Sequence, residues 1–173
     1  SFTGSNEVGT LVQQAAAKNA VKCVLELGGK SPQIVFEDAD IERAVPIIVR
    51  AIVQNAGQTC TAGSRLLVQR SIYDRFVERV AQAYAQVRVG SPDMDLDCGP
   101  VMNPAQLARV NRYIDNAKAA GIQVLAEGQL AKGISSNGYF VKPTFFGPVP
   151  RDAQLACDEV FGPVLAAFPF EDE

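Results

Sequence analysis

Gln33-Ile34-Val35-Phe36, then Asp40-Ile41-Glu42-Arg43-Ala44-Val45-Pro46-Ile47-Ile48-Val49-Arg50-Ala51-Ile52, then Leu66-Leu67-Val68-Gln69 form a run of short apolar, long periodic and short apolar segments. The outer two have strand length. In the middle one Ile41, Ala44, Val45, Ile48 and Ile52 recur at helical spacing, with Asp40 placed to accept the first free amides. Pro46 falls inside that pattern and predicts a kink or a later start. Strand, amphipathic helix, strand is the unit of a parallel sheet, because parallel neighbours need a crossover long enough to return.

The alternation continues on both sides. Upstream, Val8, Leu11, Val12 and Ala15 make a helical face behind a Gly-Ser turn, and residues 22–27 read as a buried strand. Downstream, Ser71 and Asp74 match a helix-start pattern, followed by an inward stripe of Tyr73, Phe76, Val77, Val80, Tyr84 and Val87. Asn103 before Pro104 opens another helix, with Gln106 at its third position. Its inner face is Leu107, Val110, Ile114 and Ala117, and Gly121 ends it. Residues 122–126 and 164–168 read as strands, 128–138 as a polar glycine-rich loop, and 139–146 as extended chain. Pro143 in that last stretch points to an edge or a break. The expected fold is α/β, a largely parallel sheet flanked by helices, with no internal repeat and no long linker.

Composition narrows the function classes. The chain has 173 residues, 47% hydrophobic and 20% charged, which suits a soluble globular domain with a real core. A net charge of -3 supplies no basic field for nucleic acid. Charges or prolines interrupt the apolar runs, so no membrane span is expected. Cys23, Cys60, Cys98 and Cys157 form no C-x-x-C pair, and the chain has no histidine, so no metal is expected. Four reduced thiols indicate a cytoplasmic protein, with most of them acting as small buried hydrophobes. The chain starts without an initiator Met or a leader-like segment, opens at a strand-to-helix turn, and ends in an acidic tail. It is expected to be a piece of something longer.

The absence of histidine also shapes the chemistry, since it removes the usual base for a thiol or hydroxyl nucleophile. In Gly57-Gln58-Thr59-Cys60-Thr61-Ala62-Gly63 small neighbours leave room around Cys60. Converging backbone amides there would stabilise a thiolate and an oxyanion; the alternative is a small residue in a tight helix-end turn. In Leu25-Glu26-Leu27-Gly28-Gly29-Lys30-Ser31-Pro32 a lone carboxylate sits among apolar neighbours. Buried, Glu26 would be desolvated into a useful base; by strand alternation it would face solvent. Gly28 and Gly29 permit close approach of another group. Phe2-Thr3-Gly4-Ser5 before a helix resembles a phosphate-binding turn or an ordinary cap. In Glu159-Val160-Phe161-Gly162-Pro163 the acid suits ribose hydroxyls and Phe161 a planar ring, or both are a plain loop acid and a core aromatic. Lys30 is a base, a phosphate contact or a solvated stem. Cys23, Cys98 and Cys157 read as structural.

Taken together, these four segments resemble the NAD(P)-dependent aldehyde dehydrogenase superfamily, in order and rough spacing, over essentially the whole chain. The resemblance implies that residues 1–27 are the end of a dinucleotide-binding domain and residues 28–173 a catalytic domain incomplete at its C-terminus. It implies that Cys60 attacks an aldehyde and that Glu26 activates the water that releases a carboxylic acid. It also implies that Gly4, Ser5, Leu27, Gly28, Glu159 and Phe161 contact NAD or NADP. The implied partners are a small-molecule aldehyde and further copies of the full-length chain, with no nucleic acid and no membrane. The rest of the oxyanion hole and most of the cofactor sheet would lie upstream, so this stretch alone is expected not to turn over. CoA-acylating and phosphorylating relatives, and a catalytically silent scaffold, are the alternatives. Glu26 argues against acyl transfer to CoA, which needs no water activator.

Overall fold

The computed structural model describes residues 1–172. In chain order its elements are β1 (Phe2–Thr3), α1 (Asn6–Lys18), β2 (Leu25–Glu26), β3 (Pro32–Val35), α2 (Ile41–Val53), β4 (Arg65–Gln69) and α3 (Tyr73–Tyr84). There follow β5 (Arg88–Val89), α4 (Pro104–Ala119), β6 (Val124–Glu127), β7 (Gln129–Leu130), β8 (Thr144–Phe146), α5 (Gln154–Cys157) and β9 (Val164–Phe170). One sheet has the order β3-β4-β9-β8-β6. Its first four strands are parallel, and β6 runs antiparallel to β8 at the edge. The pairs β1–β2 and β5–β7 are separate parallel ladders.

The helices form for the expected reasons. The Asp40 carboxylate accepts the Arg43 amide at 3.3 Å, and α2 buries Val45, Ile48, Ile52 and Val53. Pro46 neither delays nor interrupts it. The carbonyl left without a helical donor belongs to Glu42, an exposed residue. Helix α3 buries Tyr73, Phe76, Val77, Val80 and Tyr84, but Ser71 does not cap it. Ser71 lies in a 3₁₀ turn and donates its hydroxyl to Glu37 Oε2 at 2.8 Å instead. In α4 the Asn103 side chain accepts the Gln106 amide at 2.8 Å. Beyond its end Gly121 takes φ +76, where its N–H reaches the Lys118 carbonyl at 3.0 Å.

Strand β9 is the centre of the molecule. Val164, Leu165, Ala166 and Ala167 are fully buried, as a strand covered on both faces requires. Phe76, Val80 and Tyr84 pack into the same core at zero exposure, each worth about 2 kcal/mol of transfer free energy. The Tyr84 hydroxyl, wholly buried, donates to the Pro163 carbonyl at 2.9 Å. The core thereby fixes the point where the chain enters β9. The strand β8 lies inside the sheet, so Pro143, just before it, marks a break and not an edge.

Residues 22–27 do not form a buried strand. Only Leu25 and Glu26 are strand, they pair with β1 alone, and Val24 is 62% exposed. Of residues 1–34 only Gly9 is buried. The expected inner face of α1 is apolar, yet Val8 and Leu11 are exposed. Likewise only Cys98 of the four thiols is buried; Cys23 is half-buried, and Cys60 and Cys157 are exposed.

Candidate active site

The loops of three sequence segments converge because their strands do. Residues 28–31 lead into β3, 57–64 into β4 and 159–163 into β9, and these strands are adjacent and parallel. Pro32 is level with Arg65, and Arg65 with Ala166, so the loops emerge side by side at the N-terminal edge of the sheet. Glu26 precedes the first of these loops by two residues.

The contacts there are close, and they explain the glycines. The Gly29 N–H donates to Glu159 Oε1 at 3.1 Å, joining groups 130 positions apart. The other carboxylate oxygen occupies the space where a Cβ on Gly28 would stand. A Cβ on Gly29 would lie 2.9 Å from the Cys60 carbonyl oxygen, and the Ser31 hydroxyl donates to that oxygen at 3.4 Å. Gly57, at φ +70, is pressed against the backbone of Gly162. Close approach is made by protein groups, the Glu159 carboxylate and the Cys60 carbonyl.

The loop holding Cys60 begins with Asn55, Ala56 and Gly57 in the left-handed region, at φ 50, 53 and 70. For Ala56 this costs about 1 kcal/mol. Hydrogen bonds hold the bend: Asn55 Nδ2 to the Gln58 carbonyl (2.9 Å), Gln58 Nε2 to the Asn55 carbonyl (3.0 Å), and the Met102 amide to Gln58 Oε1 (2.9 Å). At the far end Gln33 Nε2 donates to the Gly63 carbonyl at 2.7 Å. Cys60 is thus fixed through its backbone, and its residue is open to solvent. Thr59, Ala62 and Ser64 line a small cleft together with Gly29, Glu159 and Phe161.

Burial separates the thiols. Cys98 is pushed up to about 12 by desolvation and then by the nearby Asp97 charge, so it stays a neutral thiol. Glu26 is exposed, in a strand that pairs with β1 alone. Lys30 is not a solvated stem. Its Nζ is buried without a hydrogen-bond partner, and burial, then the Arg65 charge, lowers it to about 8 against the opposing pull of Asp158 and Glu159.

The structure adds two residues that the apolar periodicity of α4 hides. Gln106 Nε2 donates to the Phe161 carbonyl at 2.7 Å and to that of Val160 at 3.2 Å. Arg109 donates through Nη2 to the Glu159 carbonyl at 2.6 Å and through Nε to Val160 at 3.4 Å. Phe161 itself sits at φ 58, a conformation that costs a non-glycine residue about 1–2 kcal/mol. Further along the helix the Tyr113 hydroxyl donates to Asp158 Oδ2 at 3.0 Å, and Asn116 donates to Gln154 at 3.3 Å. The legible signal was a polar stripe at residues 106, 109, 113 and 116, which is helical spacing for one face.

Ser5 and Gly4 precede α1. The Ser5 hydroxyl accepts the Val8 amide at 3.3 Å, and the ring of Phe2 lies against Gly4. The side chain of Leu27 packs on Gly9 of α1. These groups fit a dinucleotide: first-turn amides of a helix suit phosphate, and a carboxylate with lone pairs to spare, as Glu159 has, suits ribose hydroxyls.

An α/β sheet carrying an exposed cysteine loop against a glycine-rich acid segment is the class of site that the fold defines. A family model, aldehyde dehydrogenase family, matches residues 1–173, and the chain belongs to that family. A Burkholderia cenocepacia protein assigned as an aldehyde dehydrogenase superposes with a TM-score of 0.96 at 51% identity, over 99% of this chain and 36% of its own. Betaine aldehyde dehydrogenase of Staphylococcus aureus, solved with NAD+, gives 0.91 at 36% identity, over 99% and 34%. The Bacillus cereus aldehyde dehydrogenase complex with NAD+ gives 0.90 at 38% identity, over 99% and 34%. The chain spans about a third of the length of these proteins.

Proposed function

We propose that the chain carries the thiol and carboxylate of an NAD(P)-dependent aldehyde dehydrogenase that converts an aldehyde to a carboxylic acid. The observation that supports this most directly is the Gly29–Glu159 hydrogen bond beside the Cys60 carbonyl, which brings three of the sequence segments into one place. Residues 1–27 are the end of a cofactor domain and 28–173 belong to the catalytic domain. The separate β1–β2 ladder, and a core whose most N-terminal member is Val35, favour that division.

In the proposed mechanism the Cys60 thiolate adds to the carbonyl carbon, giving a thiohemiacetal, with the Cys60 N–H directed to the oxyanion. NAD or NADP, when bound, supplies the hydride acceptor that takes this adduct to a thioester. Glu26 accepts a proton from water as its oxygen attacks the thioester carbonyl, and the thiolate leaves. Glu159 and Phe161 hold the nicotinamide ribose, Ser5 with Gly4 the pyrophosphate end, and Leu27 and Gly28 complete the contacts. The exposure of Glu26 keeps it in reach of water. The substrate is a small-molecule aldehyde, and the whole protein is a cytoplasmic homo-oligomer. No helix among the described residues is long and apolar enough to cross a membrane, and apolar side chains at Val8, Leu11 and Val24 offer surface for a neighbour.

The experiment is pre-steady-state NADH formation by the full-length protein with a range of aldehydes. Glu26→Gln is expected to keep a burst of one NADH per site and lose steady turnover, with a Cys60-linked acyl adduct visible by mass spectrometry. Equal turnover by Cys60→Ser and wild type refutes the proposal. Product appearing only when CoA or phosphate is added refutes the hydrolytic step. The 173-residue polypeptide alone is expected to show no steady turnover.

A further inference from the structure

The cofactor carboxylate in the reading above does not hold itself in place. Glu159 lies in a loop of irregular backbone, two residues before Phe161 at φ 58. A side chain in that region favours relaxation to negative φ, which would swing the preceding peptide groups and withdraw the carboxylate from Gly28 and Gly29. Three successive carbonyls of this turn, those of Glu159, Val160 and Phe161, are gripped by Arg109 and Gln106 with contacts of 2.6 to 3.4 Å. Both donors stand on α4, whose start is fixed by the Asn103 cap and whose Val110 is wholly buried beside Gly162. The guanidinium of Arg109 is further steadied over the Tyr113 ring, 5.3 Å from its centroid, and Tyr113 in turn donates to Asp158. A rigid helix thus presents charged and amide donors to a strained turn that ends in a proposed ligand group.

We propose that Gln106 and Arg109 are positioning residues: by binding the Glu159, Val160 and Phe161 carbonyls they hold the Glu159 carboxylate on the Gly29 amide, in the place where it receives the ribose hydroxyls of NAD or NADP. This rests on the cofactor role proposed for Glu159. It assigns the two side chains to the protein backbone and not to the reacting atoms, so their loss acts through Glu159.

Two measurements on the full-length protein test it, one of which needs no cofactor. The variants are Arg109→Met, which removes every donor but keeps the stem; Arg109→Lys, which keeps a single donor nitrogen; and Gln106→Glu, which replaces the amide donor by an acceptor. In the apo protein, hydrogen exchange of the peptide containing Gly29 is expected to quicken about tenfold in Arg109→Met and Gln106→Glu. In Arg109→Lys it is expected to stay near wild type. NADH titration by fluorescence is expected to give a dissociation constant raised about tenfold in the same two variants, with partial rescue in Arg109→Lys. Iodoacetamide alkylation of Cys60 is expected to proceed at the wild-type rate throughout. In a Glu159→Ala background Arg109→Met is expected to weaken NADH binding no further, because the group it positions is gone. Additive losses in that background, or unchanged Gly29 exchange in both single variants, overturn the proposal while leaving the cofactor role standing. Wild-type binding that Glu159→Ala does not weaken overturns both. If Arg109→Met unfolds, the exchange and titration of Gln106→Glu decide.

Discussion

Lys30→Met is expected to stabilise the protein, in a way that depends on pH. The Nζ of Lys30 is buried without a hydrogen-bond partner, and its affinity for a proton falls from the ordinary 10.5 to about 8 because burial and the Arg65 charge oppose the ammonium form. At 1.36 kcal/mol for each tenfold change, that difference amounts to about 3 kcal/mol. The sign follows from proton counting. Between pH 8 and 10.5 the unfolded chain holds this proton and the folded one does not, so wild-type stability rises with pH across that window. Below pH 8 both states carry the proton and the full penalty is present. Above 10.5 neither does, and the penalty is gone. Methionine keeps the apolar stem without a charge, so Lys30→Met is expected to exceed wild type by up to about 3 kcal/mol at pH 7, with the gap closing between pH 8 and 10.5. Urea unfolding followed by circular dichroism, run on both proteins from pH 6.5 to 10.5, measures this. Taking the difference at each pH cancels the titration of the other lysines and tyrosines. A gap that is absent at pH 7, or that persists unchanged at pH 10.5, refutes the assignment of the cost to a buried ammonium.

Gly57→Ala places a methyl group against the Gly162 backbone at φ +70, and is expected to cost about 2–4 kcal/mol in urea unfolding. Tyr84→Phe removes the 2.9 Å donor from the Pro163 carbonyl, which keeps the Thr144 amide at 3.0 Å; a loss of about 1 kcal/mol is expected, measured the same way. Asn103→Ala removes the α4 cap and is expected to cost about 1 kcal/mol by thermal unfolding. With iodoacetamide near neutral pH, Cys60 is expected to be alkylated in the folded protein, whereas Cys98, buried and pushed up to about 12, reacts only after unfolding; time-resolved mass spectrometry reads both.

Much of the scaffold was readable because single helices advertise their inner faces. The stripe of Tyr73, Phe76, Val77, Val80 and Tyr84 was legible as periodicity, and the Asp40 and Asn103 caps as residue type, since both depend on neighbours a few positions away. The glycine pair at 28 and 29 announced a close approach, but not that the approaching groups are Glu159 and the Cys60 carbonyl, which are remote in sequence. Glu26 stayed open between two readings for the same reason. Its apolar neighbours suggest burial and strand alternation suggests exposure; the strand pairs with β1 alone, and the residue is exposed. Ser71 fits a capping pattern, but the tertiary contact with Glu37 draws its hydroxyl away. Gln106 and Arg109 lie on a legible polar stripe of α4, but what they bind was not readable, because their partners are backbone carbonyls of a loop about 50 positions away.

The small β1–β2 ladder has a mechanical consequence. Its acid is mounted on one framework and the sulfur on another, since Glu26 ends a strand of that ladder while the Cys60 loop is rooted in the five-stranded sheet. In the proposed mechanism the gap between proton acceptor and nucleophile is then a distance between two mountings, set where the chain passes through residues 27–31. A load that tilts the lighter mounting, such as a molecule seated against α1 or a neighbouring surface pressing on the exposed Leu11 and Val24, is expected to reach that proposed pair with little disturbance of the core.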